Sequence, residues 1–139
     1  MLTTPLIHPP LLAALAAAGH GSQVLLADGN YPHATGRSER SVLVHLDVAP
    51  GLLTVPQVLV PMLAVLPIES AQVMATADER PAPAHNEYRA LLGGGVGLSS
   101  LERFAFYGAA RGPDVAVVVA TGDQRHYANL LLTVGVVPE

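Results

Sequence analysis

Short, continuously apolar segments separated by helix-like segments are the feature that most constrains the fold of this chain. In Val115–Ala120 every residue is hydrophobic, and Gln23–Ala27 is nearly as apolar. A strand that is apolar on both sides has to be buried on both sides, as in parallel sheets covered by helices. The alternation therefore predicts an α/β fold, a single layered domain with a mostly parallel sheet covered by helices.

The predicted elements alternate along the whole chain. We expect helices at residues 10–18, 54–65, 84–92 and 104–110. We expect strands at 23–27, 42–46, 72–76, 101–103, 115–120 and 129–137, with a flexible glycine turn at 93–97. The apolar stretch 52–68 carries three prolines, which favours a buried or interface helix over a membrane span. Without a repeat or linker, residues 1–139 are predicted to form one domain.

Missing residue types exclude several kinds of chemistry. The chain has no Cys and no Lys, which excludes thiol nucleophiles, thiolate metal sites and Schiff-base catalysis. The six His residues show no His-x-x-x-His spacing, so we expect neither a metal nor a cofactor. A net charge of -4 is also unsuited to nucleic acid, which requires clustered positive charge.

The balance of apolar and charged residues predicts self-association. Half of the residues are hydrophobic and 13% are charged, so a small domain cannot cover its whole surface with polar groups. Apolar surface of this kind usually marks a subunit contact, and we expect a homo-oligomer. The apolar run after Pro10 has no positive charge before it, which indicates a first helix and not a signal peptide. We therefore expect a cytoplasmic protein without membrane association.

The first candidate site residues lie on either side of the first strand. His20 stands between Gly19 and Gly21, which leave its imidazole uncrowded. Asp28 ends the strand, and ligands of α/β sheets bind where loops leave the carboxyl ends of strands. We expect His20 and Asp28 to face one cavity. Taken singly, a loop His or a strand-end Asp more often has a structural role.

The second group of candidates lies in the last third of the chain. Arg103 adjoins an aromatic cluster that ends at Tyr107, although a core-packing cluster with a solvated Arg is an equal alternative. Tyr127 and Asn129 follow a Gly-containing turn and supply donors and acceptors for a pocket rim. Arg125 lies in the same region, and we assign it no role.

Taken together, three linked motifs resemble the signatures of the ribose pyranase / fucose mutarotase (RbsD/FucU) family, and their order and spacing fit across nearly the whole chain. The motifs are Gly19-His20-Gly21 with Leu26-Ala27-Asp28 and Asn30-Tyr31-Pro32, then Glu102-Arg103-Phe104-Ala105-Phe106-Tyr107, then Thr121-Gly122-Asp123 with Tyr127-Ala128-Asn129-Leu130. The stretch around Arg103 is similar to the fucose branch, because the ribose branch typically has His there. Ala128 matches the ribose branch instead.

The resemblance implies an isomerase of the L-fucose mutarotase type that exchanges the α and β anomers, with pyranose and furanose forms of D-ribose as the other candidate substrate. It implies that His20 transfers the proton, and we count Tyr127 as a second catalytic candidate. The implied sugar-binding residues are Asp28, Arg103, Tyr127 and Asn129. We add Glu69, which stands where many fucose-type members carry Asp. The resemblance also implies a ring-shaped homo-oligomer, often a decamer, with sites near subunit contacts.

Two other functions remain open. A non-catalytic sugar-binding or sugar-transport accessory protein could use the same scaffold, but it would be expected to lack His20 or Tyr127. A nucleotide-binding α/β domain is disfavoured because the chain has neither a phosphate loop nor a Lys. Anomer exchange, measured by NMR with and without the protein, distinguishes these functions.

Overall fold

Six strands form one sheet with helices on both faces in the computed structural model, which describes all residues from 1 to 139. The helices are α1 (Pro9–Ala17), α2 (Val55–Leu63), α3 (Pro83–Leu92) and α4 (Arg103–Ala110). The strands are β1 (Gln23–Ala27), β2 (Val42–His45), β3 (Ile68–Met74), β4 (Gly97–Leu101), β5 (Val115–Ala120) and β6 (Leu130–Val134). The predicted α/β class is confirmed.

The strand order β2-β5-β1-β6-β3-β4 explains which segments are most apolar. The fully apolar β5 lies between β2 and β1 and is parallel to both. Strand β6 is antiparallel to both of its neighbours, β1 and β3. The start of β6 therefore lies beside the carboxyl ends of β1 and β3, where residues from distant parts of the sequence meet.

Side chains of each strand alternate between two cores of unequal size. Val24 and Leu26 of β1 contribute to a cluster of 22 buried residues that includes α1, α2 and α3. Leu25 and Ala27 contribute to a cluster of nine that includes α4 as its only helix. Both faces of the sheet are covered, as predicted, but the α4 face carries much less helix.

The predicted strand at 101–103 is wrong, and the glycine turn ends earlier than predicted. Strand β4 occupies Gly97–Leu101, a partly polar edge strand that pairs only with β3. Its sequence carries no continuous apolar run, because an edge strand is half exposed and pairing decides its conformation. Helix α4 then begins at Arg103, where the Glu102 carboxylate accepts the backbone N–H groups of Phe104 and Ala105 at 2.9 and 3.1 Å.

The helix predicted at 54–65 is present as α2, but the apolar stretch 52–68 is not helical throughout. Helix α2 covers Val55–Leu63, and Ile68 already begins β3, four residues before the predicted start at 72. Pro67 accounts for the change, because the residue before a proline is disfavoured in helical conformation. No helix in the structure combines the length and the hydrophobicity needed to cross a membrane.

Candidate functional site

A polar cavity of about 230 Å³ lies at the carboxyl ends of β1 and β3, beside the start of β6. The residues that line it are Asp28, Asn30, Tyr31, Met74, Arg103, Tyr107, His126, Tyr127 and Asn129. Four of the predicted site residues, from three separate motifs, thus converge on one cavity: Asp28, Arg103, Tyr127 and Asn129. Their convergence depends on the antiparallel insertion of β6 next to β1.

Asp28 and Asn129 form the buried base of the cavity, at 3% and 4% exposure. The Asn129 Oδ1 accepts the Asp28 backbone N–H at 2.8 Å, so the Asn129 amide N–H groups are left to a ligand. The Asn30 backbone N–H donates to the Asp28 Oδ1 at 2.9 Å. Burial raises the pKa of Asp28, while nearby backbone N–H groups oppose the change. A buried carboxylate beside a free amide is suited to binding neighbouring hydroxyl groups.

Arg103 and Tyr107 form the α4 side of the cavity. The Arg103 guanidinium carbon lies 5.9 Å from the centre of the Tyr107 ring, within the range of a cation–π contact. The Tyr107 ring lies 5.7 Å from that of Tyr31, whose hydroxyl donates to the Gly36 carbonyl. Arg103 is exposed, so its five N–H donors remain available at the mouth of the cavity.

Asp123 anchors the loop that leads from β5 to the cavity. Its carboxylate is fully buried and accepts the Val55 backbone N–H at 3.0 Å and two Arg125 side-chain N–H groups at 2.9 and 2.7 Å. Arg125 also donates to Glu87 at 2.8 Å. Burial acts to raise the pKa of Asp123, but the hydrogen bonds from Arg125 and Val55 outweigh it and hold the pKa below its ordinary value. Arg125, to which the sequence assigned no role, therefore joins the loop to α2 and α3.

His20 and Glu69 lie at the amino ends of β1 and β3, on the side of the sheet opposite the cavity. The expectation that His20 and Asp28 share one cavity is therefore wrong within a single chain. The His20 Nε2 is 3.0 Å from the Glu69 Oε2, and both side chains are about half exposed. His20 precedes β1 and Asp28 follows it, and five strand residues span about 17 Å. The glycines around His20 do not bend the chain back to the carboxyl edge, because Gly21 pairs with Val134 at the end of β6.

Five cavity residues were not selected from the sequence: Asn30, Tyr31, Met74, Tyr107 and His126. Three of them, Asn30, Tyr31 and Tyr107, belong to the motifs quoted above, so adjacency to Asp28 and Arg103 was a usable signal. His126 adjoins Tyr127 and carried the same signal, whereas Met74 carries none, because only the pairing of β3 with β6 brings it to the site. No group of three or more His, Asp or Glu residues is placed to hold a metal ion.

The fold and the cavity define a small-ligand-binding α/β protein whose site faces the carboxyl edge of its sheet. The model of the RbsD / FucU transport protein family matches residues 1–137. The chain belongs to this family.

The proteins that this chain resembles include fucose mutarotases and a D-ribose pyranase. The chain is 33% identical to the human fucose mutarotase over 144 residues, covering 94% of this chain and 90% of that protein. It is 34% identical to the D-ribose pyranase of Paracidovorax citrulli (strain AAC00-1), covering 98% of each. The crystal structure of the Streptococcus pneumoniae fucose mutarotase in complex with L-fucose is 30% identical, with a TM-score of 0.83 over 99% of this chain and 100% of that chain.

Proposed function

We propose that this protein interconverts the anomers of a monosaccharide, with L-fucose as the preferred sugar and D-ribose as a weaker or alternative one. The observation that carries the proposal is the convergence of Asp28, Arg103, Tyr127 and Asn129 on one polar cavity. Its volume of about 230 Å³ lies below the range of roughly 300–1,000 Å³ for drug-sized ligands, which favours a small ligand. The relatives that bear mutarotase and pyranase names support the same class of reaction.

The cavity supplies the binding part of this chemistry. Anomer exchange opens the ring as a proton leaves the C1 hydroxyl and another reaches the ring oxygen; rotation about the C1–C2 bond and closure follow. Asp28 accepts and Asn129 and Arg103 donate hydrogen bonds, which together hold the sugar hydroxyls. A residue that exchanges protons near neutral pH is also required, and a His has this property. Positioned proton transfer accelerates a reaction by roughly 10²–10⁴-fold.

We assign the proton transfer to His20, delivered by a neighbouring subunit. Within one chain His20 lies a strand length of about 17 Å from the cavity, so it reaches a bound sugar only from another copy. Contact with the Glu69 carboxylate at 3.0 Å orients the imidazole at that edge. The proposal therefore requires a homo-oligomer in which the His20 edge of one subunit meets the cavity of the next, and the decamer implied by the sequence resemblance is one such assembly.

NMR magnetisation transfer between the α and β forms of L-fucose and of D-ribose tests the reaction. We expect the protein to accelerate exchange of L-fucose more than that of D-ribose. Sugar binding without acceleration would support the non-catalytic sugar-binding alternative. No acceleration with any aldose would refute the proposed function.

Mixed oligomers test whether a neighbouring subunit supplies His20 to the cavity. His20→Ala and Arg103→Ala should each be inactive alone, since one lacks the proton carrier and the other a substrate contact. Co-expressed at equal levels, they should restore about a quarter of the sites, because half of the cavities are intact and half of their neighbours carry His20. His20→Ala mixed with the Asp28→Asn variant gives an independent repeat at sugar concentrations well below the raised Kd of Asp28→Asn. Mixtures that stay inactive would show that His20 does not act between subunits.

A further inference from the structure

Tyr127 has a backbone conformation that requires support from its surroundings. Its φ of 61° lies in the left-handed region, which only one other non-glycine residue of the chain adopts. This conformation is unfavourable for a residue with a Cβ and persists only where neighbouring groups hold it. The backbone conformation of Tyr127 sets the direction of its phenol at the cavity. Groups that hold this backbone therefore also position the side chain.

Helix α3 provides this support through two buried side chains. The His85 Nε2 lies 2.9 Å from the Tyr127 carbonyl oxygen, and the Tyr88 hydroxyl donates to the next carbonyl, that of Ala128. His85 is 4% exposed and Tyr88 is fully buried. Neither side chain lines the cavity itself, so both act on it only through the backbone of the loop.

The hydrogen bonds of His85 define its tautomer. Its Nδ1 lies 3.2 Å from the backbone nitrogen of Ala82, whose N–H donates to it. The Nε2 therefore carries the ring proton and donates it to Tyr127. A protonated ring would place a second N–H against that of Ala82, so both contacts can form only with a neutral imidazole.

The environment of His85 favours the same neutral state. Burial and the nearby Arg89 lower its pKa, and the hydrogen bond to Tyr127 opposes them. His85 lines a second cavity, separate from the one that Asp28 lines. The other charged groups that face this second cavity are Glu79 and Arg80, from the loop that precedes α3. Strands β3 and β4 contribute no charged group there, and the packed helix α2 has no titratable residue.

We propose that His85 is a positioning residue, whose neutral imidazole holds the Tyr127 carbonyl and thereby aims the Tyr127 phenol at the bound sugar. The inference rests on the proposed function and extends it to a residue that does not touch the substrate. Its role differs from that of a core side chain, because its effect on the reaction passes through one identified phenol.

Two substitutions separate the contacts of His85. In His85→Asn the side-chain oxygen can still accept from Ala82, but the side chain is too short to reach Tyr127. In His85→Gln the longer amide can donate to the Tyr127 carbonyl. We expect His85→Asn to lower the L-fucose exchange rate about 10- to 100-fold, as small displacements of a site do. His85→Gln should remain within about threefold of the wild type. His45→Gln, at an exposed residue paired with Asp47, is the control and should not change the rate.

Repeating His85→Asn in a Tyr127→Phe protein distinguishes positioning from general support of the fold. If His85 acts through the Tyr127 hydroxyl, its substitution should cost less than about twofold once that hydroxyl is absent. The exchange rate and the Kd of L-fucose, measured by calorimetry, are both compared in the two backgrounds. Should His85→Asn fail to fold, His85→Met, which has no donor for the Tyr127 carbonyl, is compared in the two backgrounds instead.

An equal loss in both backgrounds would show a purely structural role and overturn the inference, while the proposed function would stand. An unchanged rate in folded His85→Asn would do the same. A wild-type protein that accelerates no anomer exchange would refute the proposed function, and the inference with it.

Discussion

Asp28 is a residue at which stability and the proposed sugar binding oppose each other. It is almost fully buried, and burial raises its pKa, so the folded protein favours its protonated form relative to the unfolded chain. The stabilising contribution of that form is complete below the ordinary pKa of 3.8 and is lost as the pH rises through the higher folded pKa. At neutral pH the ionised carboxylate therefore costs stability while it remains the stronger hydrogen-bond acceptor for a sugar.

Asp28→Asn should separate these effects. The Asn oxygen can still accept the Asn30 N–H, so the loop should keep its conformation, while a charge-assisted contact to the sugar is lost. We expect the Kd of L-fucose to rise about 10- to 100-fold, from roughly 1.5–3 kcal/mol for a hydrogen bond to a charged group. The unfolding midpoint at pH 7 should stay the same or rise. Calorimetric titration measures the Kd, and thermal unfolding measures the midpoint. An unchanged Kd of L-fucose would exclude Asp28 from the binding site.

At the scale of elements, the Asp123–Arg125 pair joins the loop after β5 to the start of α2. Gly122 packs so closely against the Ala49 and Leu52 carbonyl oxygens that an added Cβ would lie 2.3 Å from each. The loop therefore has little freedom to adjust when a partner of Asp123 is removed. Val55, at the start of α2, also depends on this carboxylate for its N–H.

Arg125→Ala should lower the free energy of unfolding at pH 7 by about 1–3 kcal/mol, the lower end allowing for solvent screening of a partly exposed guanidinium. The folded pKa of Asp123 is lowered, so its contribution is present above the ordinary 3.8 and is lost as the pH falls through the folded value. The difference between variant and wild type should therefore shrink below about pH 4. Urea unfolding at pH 7 and pH 3.5 measures the difference in the free energy of unfolding between Arg125→Ala and the wild type. Arg40→Ala, at an exposed residue, is the matched control. A constant difference would contradict this account of Asp123.

At the scale of the whole molecule, apolar side chains are exposed on both faces of the sheet. Val60 of α2 is 53% exposed on one face, and Phe104 of α4 is 75% exposed on the other. One isologous contact closes a dimer, whereas two separate contact surfaces on each subunit build a larger assembly. We therefore expect a homo-oligomer larger than a dimer.

Light scattering at micromolar concentration tests this assembly. The wild-type mass should exceed that of a dimer and should change little with salt, because apolar contacts are not screened. Val60→Ser and Phe104→Ser should each give a smaller assembly, and Ala105→Ser, at an exposed position of α4, should not. A monomeric wild type would contradict both the assembly and the proposed delivery of His20 between subunits.

Local sequence was sufficient to predict the α/β class and most elements of this protein. Buried strands such as β5 need apolar residues on both sides, and this requirement is visible in the sequence itself. The motifs also identified Asp28, Arg103, Tyr127 and Asn129, which the structure brings to one cavity. The fold class and the elements could be predicted because each depended on a residue type and its immediate neighbours, while the roles of the four cavity residues stay predictions.

Only the tertiary structure decided how the elements combine into a site. The antiparallel insertion of β6 brings Asn129 to Asp28, and the same sheet places His20 and Glu69 at the far edge. The edge strand β4 and the contact from His85 to Tyr127 likewise depend on pairing and packing between segments distant in sequence. Strand direction and order are set by contacts across the whole sheet, and no local pattern of residues encodes them.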